Sequence, residues 1–132
     1  MLALSISPMP KECLLLPLSA NGARSATNTI KKLLDELGCE PQKIARTDFE
    51  PQHLHRSDVI LVEVDSINDL ELFRVLRQGT RKPIIMYGSA VSTTIWVRGL
   101  EYGADGFINL PEPHEVLRER LRAILHRSGI PV

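Results

Sequence analysis

The chain alternates between short apolar runs and longer stretches in which apolar and polar residues follow a helical period. The run at 13–16 is continuously apolar and lies between Pro10 and Pro17, so it predicts a short strand buried on both faces. Residues 26–37 place leucine and isoleucine on one side of a helix and charged residues on the other, and Gly38 follows as a stop. A strand followed by an amphipathic helix is therefore the first unit of the pattern.

The same unit recurs to residue 127. Further strands are predicted at 58–64, 83–87 and 106–110, and further helices at 67–78, 93–102 and 114–127. Weaker patterns predict a short strand through Ile44, within 41–46, and a short helix within 49–55 that contains Pro51. Five strand–helix pairs with short connections predict the α/β class, with a doubly wound, five-stranded parallel sheet between two helix layers (α/β/α).

Length and composition fit a single domain. A chain of 132 residues with 43% apolar residues can bury one core without help from disulfides or metals. We expect a flexible leader at 1–10, the domain at 11–127, and the start of a linker or C-terminal tail at 128–132. Sixteen basic residues balance sixteen acidic ones, which argues against direct binding of nucleic acid or of an acidic membrane. No apolar run is long enough to span a membrane.

The cysteines and histidines do not form a recognisable metal or disulfide pattern. Cys13 lies in an apolar run and Cys39 follows a glycine, so we predict two free thiols. Free thiols are typical of a reducing cytosol, and a cytoplasmic location is therefore expected. The four histidines lack cysteine or carboxylate neighbours at zinc-site spacing; they are His53, His55, His114 and His126. We expect no metal, no cofactor and no catalytic activity.

Ligands of doubly wound sheets bind at the carboxyl ends of the strands. In this chain those ends are predicted at 16–19, 63–66, 88–90 and 109–110. Any functional site is therefore expected there.

Three runs carry a family resemblance. PIIMYGSA, WVRGLEYGADGFINLP and EVLRERLRAILHR resemble the C-terminal half of bacterial response-regulator receiver domains, in particular those of the OmpR/PhoB type. DVILVEVD is similar to the strand that carries the phosphorylated aspartate, so the resemblance is best over 58–127. It implies a flavodoxin/CheY-like fold and a role in two-component signalling.

Receiver phosphorylation needs an acceptor carboxylate, carboxylates that hold Mg²⁺, a hydroxyl and a lysine. The resemblance implies that this chain has lost most of them. Glu63 stands at the acceptor position, and the other positions hold Pro17 and Leu18 for the metal carboxylates, Gly88 followed by Ser89 for the hydroxyl, and Leu110 for the lysine. Asp65 lies two residues after Glu63, on the same face if the strand continues, and is an alternative acceptor that would still lack metal ligands and lysine.

Two interpretations of Glu63 remain open. Its charge could mimic a phosphorylated state, or its carboxylate could simply reach solvent or a backbone amide at the strand end. Metal-dependent aspartyl phosphorylation is not expected under either.

The surface that receivers of this type use to dimerise is retained in part. The resemblance assigns to a homodimer interface, formed by the fourth helix, fifth strand and fifth helix, the residues Trp96, Asp105, Phe107, Val116 and Arg120. Asp105 and Arg120 match charged members of the family's interface, Phe107 matches the switch aromatic, and Trp96 with Val116 replaces a charged pair.

We therefore expect an atypical, phosphorylation-independent receiver that serves as a regulatory and dimerisation module. By analogy, a DNA-binding domain would follow in a transcriptional regulator, and only that further domain would contact DNA. Two alternatives remain: a stand-alone protein-binding adaptor, and a phosphorylatable receiver with an unusual acceptor.

Overall fold

A parallel five-stranded sheet forms the centre of the domain. The computed structural model describes residues 11–18, 25–89, 91–110 and 112–132. The strands are β1 (Lys11–Leu16), β2 (Cys39–Lys43), β3 (Val59–Glu63), β4 (Ile84–Gly88) and β5 (Gly106–Asn109), in the order β2-β1-β3-β4-β5. The predicted leader at 1–10 lies outside the described residues. The order reverses between β1 and β3, so the predicted doubly wound sheet is confirmed.

Helices connect the strands and cover both faces of the sheet. They are α1 (Ser25–Glu36), α2 (Pro51–Arg56), α3 (Glu71–Gly79), α4 (Thr93–Glu101) and α5 (His114–Arg127), with 3-10 turns at Arg46–Asp48 and Ile67–Leu70. One core layer joins the sheet to α1 and α5, and the other joins it to α2, α3 and α4. The predicted three-layer α/β/α architecture is therefore confirmed.

The sequence misplaced the bounds of two elements. The predicted strand at 41–46 was centred too late, because β2 begins at Cys39 and ends at Lys43. The Ile44 N–H still donates to the Leu15 carbonyl at 2.9 Å, which explains why Ile44 carried a strand signal. The helix predicted at 67–78 begins as a 3-10 turn and becomes α-helical only at Glu71.

The central strands are buried because they are covered by helices on both faces. Every residue of β3 and β4 is buried, as the continuous apolar runs predicted. Consequently the carboxyl ends of β1, β3 and β4, which we call the carboxyl edge of the sheet, are where side chains can reach a ligand.

The connection from α4 to β5 is tied to the neighbouring elements. Gly103 follows the helix with φ +115°, a backbone conformation that residues with a Cβ atom rarely adopt. The Asp105 carboxylate accepts hydrogen bonds from the Ile84 N–H at 2.8 Å and from Arg77 Nη1 at 3.1 Å. The turn therefore holds β5 in register beside β4.

The segment at 128–132 lies against the domain. The Ile130 N–H donates to the Leu125 carbonyl at 2.8 Å, and Ile130 and Val132 pack partly buried on the α1/α5 core layer. That a linker or a tail begins here stays a prediction. None of the helices in the described ranges is long and apolar enough to cross a membrane.

Candidate functional site at the carboxyl edge of the sheet

Glu63 ends β3 as a buried carboxylate. Its residue is only 2% exposed, and its Oε1 atom accepts a hydrogen bond from the Leu18 N–H at 2.9 Å. Leu18 lies just past the end of β1, so this bond joins the carboxyl ends of two neighbouring strands. The sequence left open whether this carboxylate reaches solvent or a backbone amide, and in the structure it binds a backbone amide.

The position expected to hold a metal provides no carboxylate of its own. Pro17 is buried and Leu18 is half-buried after β1, and neither has a side-chain oxygen. Among the described residues, no three acidic, histidine or cysteine side chains are grouped as metal ligands would be. A hard divalent cation, which prefers several oxygen ligands, has little to bind here.

The hydroxyl position has no room for a side chain. A Cβ atom at Gly88 would lie 2.5 Å from the Val64 carbonyl oxygen and 2.7 Å from Val91 Cγ2. The next residue, Ser89, is exposed beyond the end of β4. Glycine is thus required at this point of the strand.

Leu110 takes the lysine position as a packing residue. It lies partly buried against the α1/α5 core layer, and its N–H donates to the Gly88 carbonyl at 2.9 Å. The following Pro111 lies outside the described residues. The edge therefore has an aliphatic side chain at the position where the resemblance implies a lysine.

Asp65 does not continue the strand as the alternation predicted. β3 ends at Glu63, and Asp65 is exposed in the connection to the 3-10 turn. The N–H groups of Asp65 and Ser66 both donate to Asp69 Oδ2, at 2.8 and 2.9 Å. The assumption that Asp65 shares a strand face with Glu63 is therefore wrong.

The sequence interpretation missed Arg46, which reaches this edge from the turn after β2. Its guanidinium donates to the backbone carbonyls of Glu63 and, at 3.4 Å, Leu16, and its Nη1 lies 3.1 Å from Asp69 Oδ1. Arg46 follows a weakly predicted strand and belongs to no motif, so nothing in the linear sequence marked it.

Tyr87 lies beside this site on β4, paired in register with Glu63. Its hydroxyl is 2.9 Å from Thr27 Oγ1, and both residues are buried. Burial raises the pKa of Tyr87, the Thr27 hydrogen bond opposes this, and the Glu63 charge raises it further. Tyr87 is therefore a neutral hydrogen-bonding group that links the sheet to α1.

The predicted dimer residues do not all lie on the surface. Trp96 is 4% exposed and stacks on the half-buried Phe107, with centroids 4.7 Å apart and planes 12° apart. The assignment of Trp96 as an interface residue therefore needs correction, because a tryptophan this buried supports the surface from beneath.

The exposed apolar residues of this region are others. Val97 and Leu100 on α4 and Val116 on α5 are 50%, 42% and 42% exposed. We call the surface they form with Phe107 the α4–β5–α5 face. A shallow groove runs along it, lined by Leu100, Asp105, Gly106, Phe107, Arg120, Ile124 and Arg127.

The two predicted interface charges are engaged within the chain. Asp105 pairs with Arg77 at 3.1 Å, and Arg120 pairs with Glu112 at 2.6 Å. Asp105 and Arg120 nevertheless keep 39% of their side-chain surface exposed, so both signs of charge remain at the rim of the groove.

Known proteins similar to this chain are response regulators. Response regulator ArlR of Staphylococcus aureus is 43% identical over 76 residues, which cover 56% of this chain and 35% of the relative. The chain thus matches about a third of the length of these curated relatives. No protein-family model matches the chain.

Solved structures share the fold. A response regulator from Thermotoga maritima superposes with a TM-score of 0.71 at 19% identity, over 89% of this chain and 98% of that chain. Chemotaxis response regulator CheY4 of Vibrio cholerae superposes with a TM-score of 0.64 at 23% identity, over 88% and 99%. Taken together, the sequence match and the shared fold support a response-regulator receiver domain.

Proposed function

We propose that this receiver is an atypical regulatory and dimerisation module that works without phosphorylation. The observation that carries the proposal is the buried Glu63 carboxylate, which stands at the acceptor position and is bound to the Leu18 N–H. An acceptor must reach both a phosphodonor and a metal ion, whereas Glu63 as a residue is only 2% exposed.

The groups around Glu63 support the same conclusion. Phosphoryl transfer is catalysed mainly by positioning and by cations that neutralise developing charge. Leu110 cannot supply a charge, Pro17 and Leu18 cannot bind Mg²⁺, and Gly88 cannot donate a hydrogen bond from a side chain. We therefore propose that the domain binds no metal cofactor and has no catalytic activity.

We further propose that the α4–β5–α5 face binds the same face of a second copy. Val97, Leu100 and Val116 supply exposed apolar area, and burying such area drives association. Asp105 and Arg120 place opposite charges on one rim, which a two-fold axis can bring together across an isologous interface.

The wider role of the protein is also a proposal. The ArlR relatives are longer than the matched region, and we propose that this domain regulates a DNA-binding domain in a cytoplasmic transcription regulator. A stand-alone adaptor is the main alternative. The coding sequence after Val132 distinguishes them: a DNA-binding domain favours the regulator, and a stop codon favours the adaptor.

Phosphorylation is tested by incubating the domain with acetyl phosphate and Mg²⁺ and measuring its intact mass. We expect no added phosphoryl group on the wild-type chain or on Glu63→Asp. Both proteins lack carboxylates at the metal position and an amine at the lysine position. A conventional receiver treated in parallel verifies the donor. A phosphoryl adduct on the wild-type chain would show that the acceptor is merely unusual.

Self-association is tested by sedimentation over a wide range of protein concentrations, with and without acetyl phosphate. We expect a monomer–dimer equilibrium that the phosphodonor does not shift. A protein that stays monomeric at every concentration would contradict the dimerisation role and leave the adaptor as the better hypothesis.

A further inference from the structure

Arg46 joins four segments at the carboxyl edge of the sheet. Its backbone lies in the 3-10 turn after β2, and its side chain reaches the last carbonyl of β1, the last carbonyl of β3, and Asp69 in the turn before α3. Carbonyls at the ends of parallel strands have no strand partner beyond them, so a donor that bonds two of them completes the edge.

The negative charges at this edge favour a nearby cation. Glu63 is buried, and the Asp69 side chain is 15% exposed while it also accepts the N–H groups of Asp65 and Ser66. Buried or half-buried carboxylates are costly unless they are paired or hydrogen-bonded. A planar guanidinium bonds a carboxylate and two carbonyls at once, with its donors held in fixed directions.

We propose that this edge is a cation site whose resident ligand is the guanidinium of Arg46, and that a free guanidinium ion binds there when the side chain is removed. This proposal deepens the proposed function and rests on it. If the site is never phosphorylated, its carboxylates are neutralised by a cation of the chain itself, and no added metal is needed.

The contacts of Arg46 differ from those of a surface ion pair. Arg98 and Glu101 lie 3.8 Å apart with side chains 53% and 63% exposed, and such pairs contribute little to stability. Arg46 is 25% exposed and binds three different segments. Arg98→Ala is therefore a matched control for the loss of an arginine.

The test compares wild type, Arg46→Ala and Arg98→Ala by thermal unfolding. We expect Arg46→Ala to lower the melting temperature by about 5–10 °C, as for breaking a partly buried pair in a domain of this size, and Arg98→Ala to change it little. Guanidinium chloride far below denaturing concentration should restore part of the loss in Arg46→Ala alone, while equal potassium chloride should not.

Amide hydrogen exchange gives a second measurement and a milder variant. In Arg46→Lys, which keeps the charge but loses the planar fork, the Asp65 and Ser66 amides should exchange faster, on the order of tenfold, since Asp69 is held less firmly. If Arg46→Ala does not fold, this variant decides the matter.

Three results would overturn the proposal. The first is a wild-type melting temperature in Arg46→Ala, and the second is no greater recovery of that temperature with guanidinium chloride than with potassium chloride. The third is unchanged amide exchange at Asp65 and Ser66 in Arg46→Lys. These outcomes are distinct from a failure of the proposed function, which would instead appear as a phosphoryl adduct on the wild-type chain.

Discussion

Trp96 stacks face to face on Phe107 and also closes the space beside Gly88. The ring centroids are 4.7 Å apart, and the far edge of the indole, at Cη2, lies 3.6 Å from where a Cβ atom of residue 88 would stand. One buried side chain thus connects the aromatic of β5 to Gly88 at the carboxyl end of β4. Its packing links the proposed dimer surface to the carboxyl edge.

Replacing Phe107 by leucine should loosen this connection. Loss of the aromatic pair is expected to cost about 1 kcal/mol in the free energy of unfolding. Because Trp96 is the only tryptophan, its emission should shift to longer wavelength as its surroundings become more polar. Urea unfolding and emission spectra measure both effects. Phe49→Leu, which removes a half-buried ring elsewhere in the same core layer, should leave the emission maximum unchanged.

A side chain at residue 88 should not fit. Gly88→Ala is expected to lower the free energy of unfolding by about 2–3 kcal/mol, since the new methyl group would collide with the fixed Val64 carbonyl. Gly79→Ala is the matched control, because it lies in α3 and meets only the flexible end of Leu54 at 2.9 Å. Equal stability of the two variants in urea titrations would contradict the packing described around Gly88.

A charge at Leu100 should weaken the proposed dimer. Leu100→Asp places a carboxylate in the groove of the α4–β5–α5 face, and we expect the dissociation constant to rise about tenfold or more in sedimentation experiments. Val75→Asp alters an equally apolar, 61% exposed position on α3, away from this face, and should leave association unchanged. An equal effect of both variants would point to nonspecific association.

The Glu63–Leu18 hydrogen bond gives a prediction about stability. Glu63→Ala leaves the part-buried Leu18 N–H without its acceptor and should lower the free energy of unfolding by about 1–3 kcal/mol. Glu63→Gln retains an acceptor oxygen and removes only the charge, so it should be closer to wild type. Urea titrations of the two variants separate the hydrogen bond from the charge. If glutamine is the more damaging change, the charge itself is what the site requires.

A cluster between α1 and α5 predicts a pH dependence. The hydrogen bond from His114 at 2.9 Å, and the weaker contact with Arg118 at 3.4 Å, hold the pKa of Glu36 below its ordinary value of 4.5. A carboxyl whose folded-state pKa is depressed stabilises the fold above its unfolded pKa, and this contribution is lost as the pH falls through the folded pKa.

The melting temperature of wild type should therefore fall more steeply on acidification below about pH 5 than that of Glu36→Gln. Glu40→Gln changes an exposed carboxyl on β2 and should follow the wild-type curve. Parallel curves for all three proteins would show that the cluster does not couple to folding.

Much of the fold could be predicted because it depends on local periodicity. β3 and β4 were recognised from continuous apolar runs, and α1 and α5 from helical spacing, since buried strands and amphipathic helices leave those signatures. β2 was misplaced because its residues, CEPQK, are mostly polar and hold an edge position, where one side of the strand needs no apolar cover.

The sequence by itself determined the fold class, because strands and helices leave a local hydrophobic pattern, and it determined the residue types at Glu63, Gly88 and Leu110. Only the tertiary structure decided that Trp96 is buried and that Arg46 occupies the edge. Arg46 is 17 residues from Glu63 and 30 from Leu16, and its contacts exist only after the crossovers bring β1, β2 and β3 side by side. A side chain's partners across such distances depend on the packing of whole elements, which no local pattern of hydrophobic and polar residues encodes.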